Sequence, residues 1–265
     1  MRGEAKLSSR LIRTLKHFED GIMLNGIHTR TVDIIKEGDI LSVTLPDSKN
    51  EIEPVEYKLD IVYEDEDLLI INKNALLPMH PTHNHQGDTL ANAVIHHLIS
   101  ENKQPSFRAV GRLDKGTSGL VVCALNSYCA ARLQGKIKKT YYAVTDGVYE
   151  GSGTIDKPIY RPDLLKTLRS VGENGDRAVT HWTALKNNKE RTLLEIHLET
   201  GRTHQIRVHF ASLGTPLTGD RMYGKASEEI PRQALHCGKI EFIHPVKCTL
   251  VAFECPLPDE MNNLL

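Results

Sequence analysis

Apolar residues recur at helical spacing near the start of the chain. Leu7, Leu11, Leu15 and Phe18 share one face of residues 7–18, with Lys6, Arg10, Arg13 and His17 mainly on the other. The pattern predicts an amphipathic helix. After Gly21, Ile22-Met-Leu-Asn-Gly26 reads as a short strand closed by an Asn-Gly turn. Val32–Ile35 leads through Gly38-Asp39 to a second strand over Ile40–Leu45, stopped by Pro46. So short a segment buries too little apolar surface to make much of a core alone. Residues 49–60 are polar and acidic, contain Pro54, and read as a linker. From Ile61 onward the pattern becomes globular. Asp67–Asn72 reads as a buried strand, and Leu90–Ser100 as a helix with Leu90, Val94, His97 and Leu98 on one side. Ser118–Leu125, Thr140–Val144 and Arg191–Leu198 read as strands, the last alternating through Thr192, Leu194, Ile196 and Leu198. Thr203–Leu213 reads as a helix capped by Thr203, with Ile206, Phe210 and Leu213 on one face and Gly214 and Pro216 ending it. Strands in runs with few interleaved helices predict an α+β protein with a mixed, mainly antiparallel sheet.

Composition narrows this picture only modestly. The chain has 265 residues, 40% hydrophobic and 25% charged, as in an ordinary soluble globular protein. No apolar run reaches the length of about 18 residues that a spanning helix needs, and the first residues lack a signal-peptide core. Cys123, Cys129, Cys237, Cys248 and Cys255 form no CxxC, which argues for a reducing, cytoplasmic setting and against a disulfide framework or a cysteine zinc site. A net charge of −1 gives no global attraction to nucleic acid. Local basic clusters do occur at the first helix and at Arg132, Lys136, Lys138 and Lys139. Residues 51–67 lean the other way, with eight acids against Lys58.

The segment richest in chemistry is Gly111-Arg-Leu-Asp-Lys-Gly-Thr-Ser-Gly-Leu120. It carries Asp114 between Arg112 and Lys115, among three glycines that allow tight backbone and close approach of a ligand. The segment resembles the signature of the RluA-type pseudouridine synthases, whose central RLDxxTSGL string holds the catalytic aspartate. Gly201-Arg-Thr-His-Gln-Ile-Arg-Val-His209, followed by ASLGTPLTGDRMYG, resembles the second long motif of that family. Lys138-Lys-Thr-Tyr-Tyr-Ala-Val144 is similar to its KxYxAV string. Further similarity extends over most of residues 61–260, departing at Asn74, where proline is usual. LSSRLIRTLK, GIMLNG and IKEGDILSV resemble the alpha-L RNA-binding module of a small-subunit ribosomal protein. These resemblances imply an alpha-L-like module over 1–48, a linker over 49–60 and a pseudouridine synthase domain over 61–265.

The implied reaction breaks the N1–C1′ bond of a uridine in RNA, turns the uracil and rejoins it through C5. It needs a carboxylate to attack, a group to remove the C5 proton and a pocket for an extruded nucleotide, but in principle no metal or organic cofactor. The resemblance assigns Asp114 as nucleophile and Arg207 as its ion-pair partner, and it sets Ile206 against the active-site tyrosine. Tyr141 would be that tyrosine, stacking on the flipped base and handling a proton. A free phenol pKa of about 10 makes the proton role the less secure of the two. Tyr142, next in the strand, points the other way and is expected to be structural. Arg112 would enter the space left by the flipped base or hold a phosphate, and Arg202, Lys139, Lys136 and Lys138 are further phosphate candidates. Gly111 stands where many members have histidine, which implies that the histidine is dispensable to the chemistry. His80, His83 and His85 invite a zinc reading, but nothing completes a ligand set. Gly116-Thr-Ser-Gly119 lacks the spacing of a serine-hydrolase elbow. The expected substrate is large-subunit ribosomal RNA, with transfer RNA as the alternative. A silent RNA-binding protein of the same fold and an N-glycosylase releasing free uracil are the rival functions.

Overall fold

The computed structural model describes residues 9–44, 52–82 and 85–265. Its first element, α1, covers Ser9–Leu15 and is followed by β1 (Ile22–Leu24), β2 (Ile27–His28) and β3 (Leu41–Val43) in a small sheet of order β2-β1-β3. Asn25 (φ 51°) and Gly26 (φ 81°) make the β1–β2 turn with two left-handed residues, the geometry that the Asn-Gly pair predicts. Asn25 also ties the loop together, donating to Asp39 and accepting from the Ile40 N–H, both at 2.8 Å. Ile12, Leu15 and Ile22 are the buried residues here, and they pack with Leu11, Leu41, Val43 and Tyr128. Tyr128 belongs to the larger part of the chain, so this small core is completed from outside its own segment.

Two expectations for this segment need correction. The helix ends at Leu15, and Phe18 is exposed rather than on a buried face. The cause is Gly21, whose backbone turns back so closely that a Cβ there would lie 2.1 Å from the Leu15 carbonyl oxygen. The expected strand over Ile40–Leu45 shortens to Leu41–Val43. Lys6 and Leu7 lie outside the described residues.

Residues 52–60 form neither helix nor strand but run along α2 (Leu90–Ser100), where the Val55 N–H reaches the Asn92 carbonyl at 3.2 Å and the Asn92 side chain donates to Glu53 O at 2.7 Å. Thr89 and Asn92 cap α2 reciprocally in a capping box, and Leu90, Val94 and Leu98 bury its inner face.

The main sheet begins with β4 (Ile61–Glu64) and β5 (Leu68–Lys73), continues with β6 (Arg108–Ala109) and β7 (Ser118–Ala124), and passes through α3 (Ser127–Leu133) to β8 (Lys138–Thr145) and β9 (Ser152–Asp156). A separate hairpin, β10 (Ile159–Tyr160) and β11 (Ser170–Val171), precedes the long pair β12 (Val179–Asn187) and β13 (Thr192–Leu198). Then come α4 (Gln205–Ala211), β14 (Leu235–Ile243), β15 (Leu250–Glu254) and α5 (Asp259–Asn262). The sheet order is β4-β5-β7-β14-β8-β13-β12-β9, with β15 beside β14 and β6 beside β7. Every pairing is antiparallel except β7 with β14, so the sheet is mixed and mainly antiparallel as its sequence pattern predicts.

β7 is buried along its whole length, which explains its unbroken apolar run; β13 alternates because one face is covered. At the parallel junction Gly119 lies opposite Cys237, and a Cβ on Gly119 (φ 107°) would stand 2.2 Å from the Cys237 carbonyl oxygen. Only glycine fits this approach, and it fixes where the loop before β7 emerges from the sheet.

Candidate active site

That loop, residues 110–117, carries Asp114. Its shape is held by backbone contacts more than by side-chain packing. The Thr117 N–H closes a turn onto Asp114 O (3.0 Å), and the Gly116 N–H donates to Ala75 O (2.9 Å). From the other side Gln233 Nε2 donates to Lys115 O (2.9 Å), and Arg232 Nη1 donates to Gly116 O (3.1 Å). Gly116 (φ 90°) leaves no room for a side chain, since a Cβ would meet Gln233 Oε1 at 2.4 Å. Behind the loop, Lys73 is buried and donates to the carbonyls of Asn74 (2.7 Å) and Leu77 (2.9 Å). Burial, with Arg232 nearby, brings its amine down to about 7, although Asp114 pulls the other way.

Asp114 faces a cleft of about 970 Å³, at the upper end of what small ligands occupy. One wall is β8, whose alternation sends Tyr141 inward and leaves Tyr142 half-buried on the opposite face, as the sequence predicts. Burial drives the Tyr141 phenol well above 10, with Cys237 and Asp114 adding to the rise. Tyr141 therefore rests as a protonated ring, suited to stacking and to donating a hydrogen bond, and poorly suited to taking up a proton.

The start of α4 also lines the cleft, and there Ile206 is buried in the same apolar cluster as Tyr141. Here Thr203 does not cap the helix. His204 occupies the cap position in a left-handed conformation (φ 59°, ψ 18°) with no side-chain capping bond. Gln205 instead ties down the preceding loop, reaching back to accept from the Arg202 N–H at 3.0 Å. At its far end the helix stops at Ala211, so Leu213 is exposed instead of sharing a buried face.

Arg207 projects from α4 toward Asp114, with Nη1 3.5 Å from Asp114 Oδ2. That distance makes an ion pair without a hydrogen bond. Its bidentate partner is Asp220, which accepts from Nε at 2.7 Å and from Nη2 at 2.8 Å with its side chain fully buried. Asp220 Oδ1 also accepts from the N–H of Met222 at 3.0 Å. The guanidinium lies 5.0 Å over the Tyr223 ring. Asp220 and Asp114 raise the Arg207 pKa against its burial, so the cation is permanent. Sequence reasoning assigned Arg207 one carboxylate; the structure gives it two, and Asp220 grips it harder. The TGDRMYG string was part of the resemblance, but only packing picks out Asp220 within it. His204 was also missed as a site residue. Its Nε2 is 3.9 Å from Asp114 Oδ2 and its Nδ1 is 2.7 Å from the Tyr223 hydroxyl.

The cations expected to meet phosphates ring the same cleft. Arg112 is exposed at the rim, and Lys136, Lys138 and Lys139 line one side. Lys138 is paired with Glu241 at 3.3 Å, and Arg202 with Asp176 at 3.1 Å, so either must exchange a partner to bind anything else. Gly111 (φ 80°) sits under Lys139, whose Nζ would be 3.0 Å from a Cβ there. A histidine at this position would be strained and would displace the lysine. Among the described residues, His80 and His85 are each engaged with other groups. His80 stands edge-on to Phe107, His85 bonds Asp88 and Lys115, and His83 lies outside the described residues. Among the described residues, Asp65, Asp67 and His244 come together, but Asp65 already pairs with Lys247 at 2.7 Å. Among these residues no helix is long and apolar enough to cross a membrane.

Known proteins resemble this chain in sequence and fold. A family model described as RNA pseudouridylate synthase matches residues 67–212, which span both Asp114 and Arg207. The chain is 38% identical to an uncharacterised RNA pseudouridine synthase of Bacillus subtilis, YjbO, over 99% of its own length and 96% of that protein. It is 36% identical to ribosomal large subunit pseudouridine synthase D of Pseudomonas aeruginosa, covering 93% and 84%. Among solved structures, human RNA pseudouridylate synthase domain containing 1 superposes with a TM-score of 0.63 at 26% identity, over 81% of this chain and 89% of that one. The chain belongs to the RNA pseudouridylate synthase family, and the reaction it catalyses is the isomerisation of uridine in RNA.

Proposed function

We propose that the chain converts uridines of large-subunit ribosomal RNA to pseudouridine in the cytoplasm, with Asp114 as the nucleophile. The observation that carries the assignment of Asp114 is its position, on the lining of a cleft with ample room for a nucleotide and 3.5 Å from a buried, permanent cation. Arg207 sets a fixed positive charge beside the carboxylate and orients it. Tyr141 supplies the wall on which a flipped uracil stacks, and Ile206 backs that wall. Arg112 at the rim fills the gap in the RNA stack, while Lys139 and Arg202 contact phosphates on either side. Asp114 displaces uracil from C1′ or adds to C6; either route requires the carboxylate beside the glycosidic bond.

The ribosomal substrate rests on relatives such as the Pseudomonas aeruginosa large-subunit enzyme. Residues 1–48 serve as an RNA-binding module, joined through 49–60 to the synthase domain over 61–265. The test is pseudouridine mapping of total RNA from cells lacking the gene, then complemented with native chain or Asp114→Asn. Ribosomal sites should vanish, return with the native chain and stay absent with the variant, which should still bind RNA. Loss confined to transfer RNA would replace the substrate, and restored sites in the Asn variant would remove the nucleophile.

A further inference from the structure

The reaction contains a proton transfer for which neither Arg207 nor Tyr141 is a ready base. When C1′ joins C5, that carbon holds both the sugar and its original hydrogen. Uracil regains its conjugation when the C5–H electron pair becomes the C5=C6 bond and the N1=C6 pair moves onto N1, which binds a proton. One proton leaves C5 and one arrives at N1. Arg207 is a permanent cation, and the buried Tyr141 phenol is already protonated.

We infer that His204 is a further catalytic residue, whose Nε2 accepts the C5 proton and passes it to solvent while N1 draws another in its place. The inference rests on the proposed seating of the target uridine beside Asp114.

Three features of the geometry place the imidazole for this. First, His204 lines the cleft with its side chain 12% exposed, its Nε2 3.9 Å from Asp114 Oδ2. That separation leaves the two groups facing one reactant without being hydrogen-bonded to each other. Second, the residue is held in the left-handed region at the head of α4, a conformation uncommon outside glycine and enriched for Asn, Asp and His. The ring makes no capping bond to the helix, so nothing in the helix requires the imidazole. Third, its other nitrogen is fixed. The Tyr223 hydroxyl lies 2.7 Å from Nδ1 and also accepts the Arg169 N–H at 3.0 Å. A hydroxyl oxygen has two lone pairs, so it can take both N–H groups. In the tautomer the proposal requires, Nδ1 donates to the Tyr223 hydroxyl and Nε2 presents its own lone pair to the cleft.

The charges around the ring suit a base. Burial lowers its pKa most, Arg207 and Arg169 lower it further, and Asp114 and Asp220 oppose them; the balance lies below the usual histidine value. The imidazole therefore stands neutral at pH 7. Once it has taken the proton, the released Asp114 carboxylate stabilises the imidazolium beside it.

The test compares native chain with His204→Asn in single-turnover reactions on transcribed RNA carrying tritium at uridine C5, reading release of tritium to water. Asparagine tolerates the left-handed backbone and its amide can still donate to Tyr223, but it cannot carry the proton. RNA affinity should stay within about twofold, and the rate should fall roughly 10²–10⁴-fold, the usual contribution of a general base. The native rate should rise with pH through a group titrating below the usual histidine value. That limb should be absent in the variant, and added imidazole should restore part of the rate. A variant that turns over normally, or one that is slow with the acid limb intact and no imidazole rescue, overturns the role. Should the Asn chain fail to fold, Tyr223→Phe serves instead: it must shift the acid limb, and an unmoved limb counts against His204. Asp114→Asn separates the two readings. If that variant turns over normally, the seating of the uridine is wrong and His204 falls with it. If it is dead while His204→Asn is fully active, only the histidine is excluded.

Discussion

Asp220 offers a quantitative test of how the site is held. Its side chain is fully buried and that of Arg207 is 6% exposed, and two charge-assisted hydrogen bonds join them at 2.7 and 2.8 Å. Asp220→Asn keeps the shape but removes the charge and sets an amide donor against a guanidinium donor. Asp114 cannot take over, because at 3.5 Å it forms no hydrogen bond to Arg207 and its side chain is 27% exposed. The variant thus leaves a buried cation uncompensated, at a cost of about 3–5 kcal/mol. Total stabilities run to about 5–15 kcal/mol, so a large share is at stake. With a urea m-value of about 3 kcal/mol per molar, the unfolding midpoint should drop by about 1–1.7 M. Arg207→Met should cost a similar amount by stranding the Asp220 carboxylate. The double variant should lose less than the sum by at least about 2 kcal/mol, since removing both partners strands neither. A denaturation series on the four chains provides the cycle. An Asp220→Asn chain within about 0.5 kcal/mol of native, or strictly additive losses, would refute the view that Asp220 is the structural anchor of Arg207.

Other consequences are open to simpler measurements. Tyr141→Ala removes the stacking wall and should lower kcat/KM by about 1–3 kcal/mol, roughly 5- to 150-fold, with the fold retained; an unchanged value places the flipped base elsewhere. Gly119→Ala forces a Cβ against the Cys237 carbonyl at the parallel junction and should destabilise by about 1–3 kcal/mol or more, visible as a lower Tm; a native Tm would mean the strands separate freely. His236, hydrogen-bonded to Ser118 at 2.8 Å, is pushed down to about 4 by burial and by Arg232. Its pKa in the unfolded chain is about 6.5, so its contribution to stability is complete above that pH and is lost as the pH falls toward 4. Urea midpoints should decline across this window, and His236→Gln should flatten the decline; an equal slope in the variant assigns the dependence to other groups.

The sequence by itself determined the elements whose local pattern and burial agree. β7 is an unbroken apolar run because both its faces are covered, and β13 alternates because one is. Asn25-Gly26 fixed its hairpin turn through two left-handed residues. In β8 the two-residue period set Tyr141 and Tyr142 on opposite faces, and the motif resemblance named Tyr141 as the one at the site. Asp114 stood out because an acid among three glycines has little to do with packing, and the motif resemblance extended this to Arg207 and Ile206. Tertiary structure decided what depends on partners distant along the chain. Thr203 satisfies the local rule for a helix cap, yet His204 takes the place in a left-handed conformation, with its ring between the Tyr223 hydroxyl at 2.7 Å and Asp114 at 3.9 Å. Phe18 satisfies helical spacing, yet the close return of Gly21 ends the helix before it. The pairing of Arg207 with Asp220 across 13 residues, and of Ser118 with His236 across 118, leaves no trace in any local period. Local pattern reports which face of an element is covered; only the folded chain fixes which group covers it, because burial makes a charged or polar side chain depend on one particular neighbour.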